Sequence, residues 1–160
     1  MEEKIIFTEE GYAEIVKELE YLKGEWRTEI TEKLKEARSF GDLSENAEYD
    51  AARDEQAEKE ARIKELEDMV RRAEVTKSDD VNIKTVGVAT KVTVENVKTG
   101  EKSIYAIVGT TEADPFAEPV PKISTESLVG QHLLGKKRND TVTFMVPDGE
   151  VTLKVIKIGR

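Results

Sequence analysis

The sequence predicts an α+β protein of two parts, an N-terminal antiparallel coiled-coil hairpin and a small C-terminal antiparallel sheet with one short helix. Three observations predict it. Over residues 8 to about 73 apolar residues recur at helical spacing and no proline interrupts them. From residue 86 onward the period becomes strand-like, and all four prolines fall in this half. Between Gly24 and Gly87 the only glycine is Gly41, midway along the helical half, where a reversal would divide it into two arms. The expected divisions are a hairpin over 1–75 with its tip at about 40–46, a linker over 76–80 and a sheet domain over 81–160.

The first helix has a start signal. Thr8 suits an N-cap, and Glu9 and Glu10 place acid in the first turn, where it complements the helix dipole. The apolar seam then runs Tyr12, Ile15, Leu19, Leu22, Trp26, Ile30, Leu34, Ala37. Its steps alternate three and four at first, but from Leu22 to Leu34 every step is four. Such a stutter locally unwinds a left-handed supercoil.

The returning helix carries a cleaner heptad: Tyr49, Ala52, Gln56, Lys59, Ile63, Leu66, Val70, Ala73. Folding the chain back at the tip sets Ile15 against Val70, Leu19 against Leu66, Leu34 against Ala52 and Ala37 against Tyr49. Gln56 and Lys59 make the middle of the seam less apolar than its base. The Lys59 stem suits the Trp26 ring, with its ammonium in water. At about 1.5 Å per residue, arms of about 30 residues extend roughly 45 Å, so most of the hairpin is expected to project into solvent.

In the second half, residues 86–94 and 102–108 alternate as strands, with turn residues from Asn96 to Gly100 between them. Residues 124–134 read as a short helix stopped by Gly135. Residues 141–146 and 151–158 form a last hairpin around Pro147, Asp148 and Gly149.

Charge narrows the function. The chain of 160 residues has a net charge of −9. Residues 1–78 hold 23 acids against 14 bases and the remainder 11 against 11, so all the excess acid is in the helical half. This argues against sequence-specific readout of duplex DNA, whose affinity rests on neutralising phosphates. There is no cysteine, which excludes disulfides and thiolate metal sites. Neither a signal peptide nor a membrane-length apolar run is visible, so a cytoplasmic protein with no membrane partner is expected.

Classical nucleophilic sets are missing. The one histidine, His132, sits among Leu128, Val129, Leu133 and Leu134 and reads as a packed or surface residue. No glycine-rich phosphate loop occurs. What remains is the tip, with Asp42 and Glu45. Their spacing is that of a capping box, with Asp42 as N-cap, Glu45 reaching back and Gly41 ending the preceding helix. That explains a turn but not why acid stands at the end of an arm. Two carboxylates hold Mg²⁺ poorly alone, since the ion takes near-octahedral oxygen ligation. They become useful if a partner supplies further carboxylates and a phosphodiester, fixing a second metal and orienting a water. Arg38 and Arg53 flank the tip. In so acidic an arm the plain reading is that such bases pair with neighbouring acids, and Arg53 among its acids is such a case.

The stretch from Ala37 to Arg53, which contains Phe40-Gly41-Asp42-Leu43-Ser44-Glu45-Asn46-Ala47-Glu48-Tyr49, resembles the tip signature of the bacterial Gre transcript-cleavage (transcription elongation) factors, GreA type. Residues 7–12, 108–115 and 133–137 resemble the family's other motifs. The resemblance implies an FKBP-like C-terminal domain that docks on bacterial RNA polymerase at the rim of the secondary channel, and a coiled coil that enters the channel. There the tip acids, Asp42 and Glu45 here, help hold a Mg²⁺ jointly with the polymerase and activate water. The polymerase then cuts its own backtracked RNA near the 3′ end, so the factor is not an autonomous enzyme and acts as a monomer. By motif match Arg38 and Arg53 contact the RNA, while Gly41, Leu43, Ser44, Asn46 and Tyr49 set the tip geometry.

Three departures lie in the second half. Leu128 stands where a proline usually follows the serine, Asn139 replaces a common glycine, and the segment 116–122 is longer than usual. Two other readings compete: a structural or chaperone-like hairpin whose tip acids only cap a helix, and a paralogue that occupies the channel and inhibits. The intact motif from Gly41 to Tyr49 argues against the second.

Overall fold

The computed structural model describes residues 3–41 and 46–160. The chain divides into two compact units, Tyr12–Arg72 and a second formed by Ala73–Arg160 with the start of the chain through Gly11.

The helical unit is a hairpin. Helix α1 (Glu9–Tyr21) continues through a π-helical turn (Leu22–Trp26) into α2 (Arg27–Arg38), and α3 (Ala47–Arg72) returns. The π turn lies where the seam begins its four-residue steps. A wider turn absorbs the extra residue and returns Trp26 and Ile30 to the facing side. Leu22, Trp26, Ile30, Ala52, Ile63 and Leu66 form the buried core, flanked by Ile15, Leu19, Leu34 and Met69. Met69, not the expected Val70, joins this cluster at the base. The Trp26 ring is 4% exposed, and its Nε1 has no hydrogen-bond partner among the described residues.

Ion pairs stitch the arms on either side of that core. Arg27 donates two parallel bonds to Glu60 at 3.1 and 3.0 Å, Lys33 reaches Glu55 at 3.2 Å, and Arg62 clasps Glu18 at 2.9 and 3.0 Å. The hydrogen bond from Arg62 holds the Glu18 carboxyl below its ordinary pKa, and that from Arg27 does the same for Glu60. All are solvent-facing, so they fix register more than they add stability.

The other unit is built on a five-stranded sheet whose strands lie side by side in the order 122–124, 102–108, 91–96, 149–159, 141–146. Its strands are β3 (Lys91–Asn96), β4 (Lys102–Val108), β5 (Lys122–Ser124), β6 (Thr141–Val146) and β7 (Gly149–Gly159). All neighbours are antiparallel except β4 and β5. Val92 and Val94 on β3, Val142 and Phe144 on β6, and Leu153 and Val155 on β7 alternate into one core with Ile107, Ile123 and Leu133. His132 packs, its ring centroid 5.0 Å from that of Phe144 and its Nδ1 2.8 Å from the Leu128 carbonyl.

Three local expectations are corrected. The alternation over 86–94 is only partly a strand, because residues 85–90 turn. Ala89 has φ +72°, and the Thr90 hydroxyl donates to the Gly87 carbonyl at 2.6 Å while accepting from the Gly87 N–H. Val86 is buried as a plug, without strand pairing. Helix α4 covers only Leu128–Leu133, because the Ser127 hydroxyl caps it by accepting from the Gly130 N–H at 3.0 Å. The chain at the expected linker is structured: strand β2 (Ala73–Thr76) ends in it and a 3₁₀ turn (Ser78–Asp80) lies within it.

Strand β2 pairs in parallel with β1 (Ile5–Thr8), the connection between them being the whole hairpin. Phe7, 1% exposed, is the buried anchor of β1. Gly109 permits β1 to lie close, since a Cβ there would fall 2.0 Å from the Ile6 carbonyl oxygen. Glu112 then accepts from the Thr8 N–H at 2.7 Å and the Thr8 hydroxyl at 2.6 Å, and that hydroxyl accepts from the Gly11 N–H at 3.1 Å. Thr8 is therefore the N-cap its sequence suggested, with a distant carboxylate holding the cap. Glu112→Ala is expected to cost about 1–3 kcal/mol through two stranded donors. Amide hydrogen exchange at Thr8 and Gly11 should accelerate, and Glu112→Gln should recover part of the loss.

Two of the departures noted in the sequence have physical explanations. Asn139 has φ +74°, a left-handed conformation that glycine enters freely and asparagine tolerates. Leu128 is the first residue of α4, where proline is favoured because its missing N–H is not needed.

Candidate functional site at the hairpin tip

Asp42, Leu43, Ser44 and Glu45 lie outside the described residues, between the end of α2 and the start of α3. Helix α2 closes through Ser39, whose N–H donates to the Glu36 carbonyl at 3.0 Å. The Phe40 N–H donates to the Ala37 carbonyl at 3.3 Å. Gly41 follows with φ +107°, which a side-chain-bearing residue rarely adopts, and so ends the helix as expected.

The cap of the returning helix differs from the expectation. Helix α3 begins at Ala47, and its N-cap is Asn46, not Asp42. The Asn46 Oδ1 accepts from the Tyr49 N–H at 3.1 Å, and its backbone carbonyl accepts from the Asp50 N–H at 3.1 Å. Its Nδ2 meanwhile donates to the Ala37 carbonyl at the end of α2. One amide thus satisfies an orphan donor of one helix and adds a second donor to a terminal carbonyl of the other, which a carboxylate cannot do because it has no N–H. Asn46→Ala is expected to cost about 1–2 kcal/mol, the usual value of a cap. Asn46→Asp should recover the cap but not the bridge to Ala37. Thermal unfolding followed by circular dichroism ranks the three.

Tyr49 sits between the two flanking arginines. The Arg38 guanidinium carbon lies 5.7 Å from the Tyr49 ring centroid, over its face. From the following turn, Arg53 approaches the Tyr49 hydroxyl with Nη1 at 3.5 Å. Arg38 first and Arg53 second hold the Tyr49 hydroxyl below the ordinary phenol pKa by favouring its anion. The expectation that Arg53 pairs with neighbouring acids is corrected: among the described residues neither Arg38 nor Arg53 has a carboxylate within ion-pair distance. Its sequence signals were the i, i+4 spacing of Tyr49 and Arg53 and the pairing of Ala37 with Tyr49 across the hairpin.

Another face of the tip has the opposite charge. A groove between the arms, beside the exposed Phe40, is lined by Glu36, Glu48 and Glu55 with Lys33. Glu48 lies one residue before Tyr49, about 100° round the helix, so the acidic groove and the arginine side are distinct faces.

The described residues contain no group of three acid or imidazole side chains that could hold a metal ion. Asp42 and Glu45 supply hard carboxylate oxygens, which match Mg²⁺ in kind but fall short of its usual coordination number. The donor set fits the ion only as part of a shared site. No helix among the described residues is long and apolar enough to cross a membrane.

Comparison with known proteins agrees with the two-part architecture. Residues 5–75 match the family described as "Transcription elongation factor, N-terminal", and residues 80–160 match "Transcription elongation factor, GreA/GreB, C-term". The transcription elongation factor GreA of Bacillus licheniformis is 46% identical over 158 residues, covering 98% of each chain. That of Clostridium kluyveri is 47% identical over 157 residues, covering 98% of this chain and 97% of its own. Among solved structures, GreA factor homolog 1 of Thermus thermophilus is 29% identical, covers 98% of this chain and 99% of its own, and gives a TM-score of 0.43. With both halves matched in order and full-length relatives at nearly half identity, this chain belongs to the GreA/GreB family of transcription elongation factors.

Proposed function

We propose that this protein binds bacterial RNA polymerase, inserts its coiled coil into the secondary channel, and stimulates cleavage of the 3′ end of backtracked RNA so that arrested complexes resume elongation. It works as a monomer in the cytoplasm and is not an enzyme alone. The supporting observation is the tip itself. Where Arg27, Lys33 and Arg62 pair with carboxylates across the hairpin, Arg38 and Arg53 stand free of described carboxylates beside the acidic motif.

Each residue has a definite task in this reading. Asp42 and Glu45 would hold a Mg²⁺ jointly with the polymerase, and the ion would supply charge stabilisation and an activated water. Asn46 ties the two helix ends so that the intervening acids have a fixed base. Arg38 and Arg53 attract the RNA backbone, offsetting the net negative charge of the arm. The other unit provides the docking surface at the channel rim.

The test is a stalled, backtracked elongation complex with Mg²⁺ and labelled RNA. Added protein should release short 3′ fragments, and the remaining 5′ portion should re-extend. Slowed RNA synthesis without cleavage would favour an inhibitory paralogue. No association with polymerase would favour a purely structural hairpin.

A further inference from the structure

Resting on that reading, we propose that Tyr49 is a positioning residue that arranges Arg38 and Arg53 into a two-guanidinium cradle for the phosphodiester backbone of single-stranded RNA.

The choice of side chain carries the idea. Elsewhere in the hairpin the arginines are oriented by carboxylates: Arg27 by Glu60, Arg62 by Glu18, and Arg72 by Asp68. A carboxylate orients a guanidinium but cancels its charge and occupies its donors. Tyr49 orients two and cancels neither, since a phenol is neutral at pH 7. Its ring face takes Arg38 at 5.7 Å, and its hydroxyl takes Arg53 at 3.5 Å. Both guanidiniums keep donors free for a phosphate, which an arginine fork fits in bidentate fashion.

Tyr49 is itself fixed. Its N–H is bound by the Asn46 side chain at 3.1 Å, so the ring leaves a defined point in the first turn of α3. The acidic groove round the helix repels phosphate, which leaves the Tyr49 side as the favoured path for RNA. Bringing two guanidiniums to one ring costs like-charge repulsion, which a bound phosphodiester would relieve. The cradle is thus disposed to accept an anion.

The test has two arms. In the free protein, the phenolate absorbance titration of the parent minus that of Tyr49→Phe isolates Tyr49. It should ionise below an ordinary tyrosine and move up towards the ordinary value in Arg38→Ala. An ordinary titration that ignores Arg38→Ala overturns the cradle.

In backtracked complexes, Tyr49→Leu should lower the maximal cleavage rate about tenfold to 100-fold, towards the scale of a misplaced positioning group. The protein concentration needed for half-maximal effect should stay near that of the parent. Tyr49→Phe keeps the ring and should fall between the two. In an Arg38→Ala/Arg53→Ala background, Tyr49→Leu should have no further effect, a coupling that a merely structural tyrosine would not show. Parental cleavage by Tyr49→Leu, or an equal loss with and without the arginines, overturns the proposal. If the parent itself does not cleave, the functional reading has failed and the RNA role of Tyr49 falls with it, whatever the titration shows.

Discussion

Asp42→Asn and Glu45→Gln are each expected to reduce polymerase-dependent RNA cleavage about 100-fold or more, the scale of removing one preorganised charged group from a reaction centre. Each substitution is nearly isosteric and removes one negative charge. An amide oxygen is a weaker ligand than a carboxylate for a hard cation, so the loss should fall on the rate of cutting. Binding to polymerase should be largely unchanged, because the proposed function assigns docking to the other unit. Competition with the parent protein for the same elongation complexes measures this. Raised Mg²⁺ should rescue the variants in part, since a weakened site can be filled by mass action. Circular dichroism separates chemistry from folding: the helices should remain, because the cap of α3 is Asn46 and not Asp42. If both variants cut RNA at the parental rate, the shared-metal role is wrong.

Leu66→Ala is expected to destabilise the hairpin by about 2–5 kcal/mol, the range for removing a fully buried leucine side chain. Leu66 is 0% exposed and packs in the cluster of Leu22, Trp26, Ile30, Ala52 and Ile63. Only two helices meet in this core, so a cavity there has few neighbours to fill it. For a unit of this size a few kcal/mol should lower the helical melting transition by about 10 °C or more. The near-ultraviolet signal of Trp26 reports the same core and should be lost in the same transition. The sheet core, built around Val92, Ile107 and Val155, contains no hairpin residue and should unfold at its parental temperature. Cleavage should vanish where the hairpin melts, although Leu66 touches no RNA. A helical transition unchanged from the parent would show that the hairpin is held chiefly by its ion pairs.

The tip shows how far local pattern reaches. Gly41 was legible as a helix stop because a left-handed residue has a strong compositional signature. The cap was misassigned because Asp42 and Asn46 are both good N-caps, and the spacing to Glu45 favoured the earlier one. What separates them is the Ala37 carbonyl on the other arm, which can take a further donor from an amide but not from a carboxylate. Tyr49 and Arg53 are neighbours on one helix, so their contact could be foreseen. Pairing Ala37 with Tyr49 brings Arg38 near, but its guanidinium over the ring face could not be foreseen.

The same division runs through the sheet unit. The alternation over 141–146 and around Pro147 to Gly149 became a hairpin, because both strands and their turn are encoded within a short stretch. The alternation over 86–94 did not become one strand. Period two marks which residues are buried, and Val86 reaches the core from a turn closed by Thr90.

The sequence by itself determined the helical and strand-like periods, the reversal near Gly41, the Thr8 cap and the motif that identifies the family. All are carried by residues close together in the chain, where spacing and composition act directly. Only the tertiary structure decided the parallel pairing of Ile5–Thr8 with Ala73–Thr76, the grip of Glu112 on Thr8, the bridge from Asn46 to Ala37 and the placing of Arg38 over Tyr49. Each of these joins groups from separate segments. Which donor meets which acceptor there depends on how the arms and strands pack, and no local period records it.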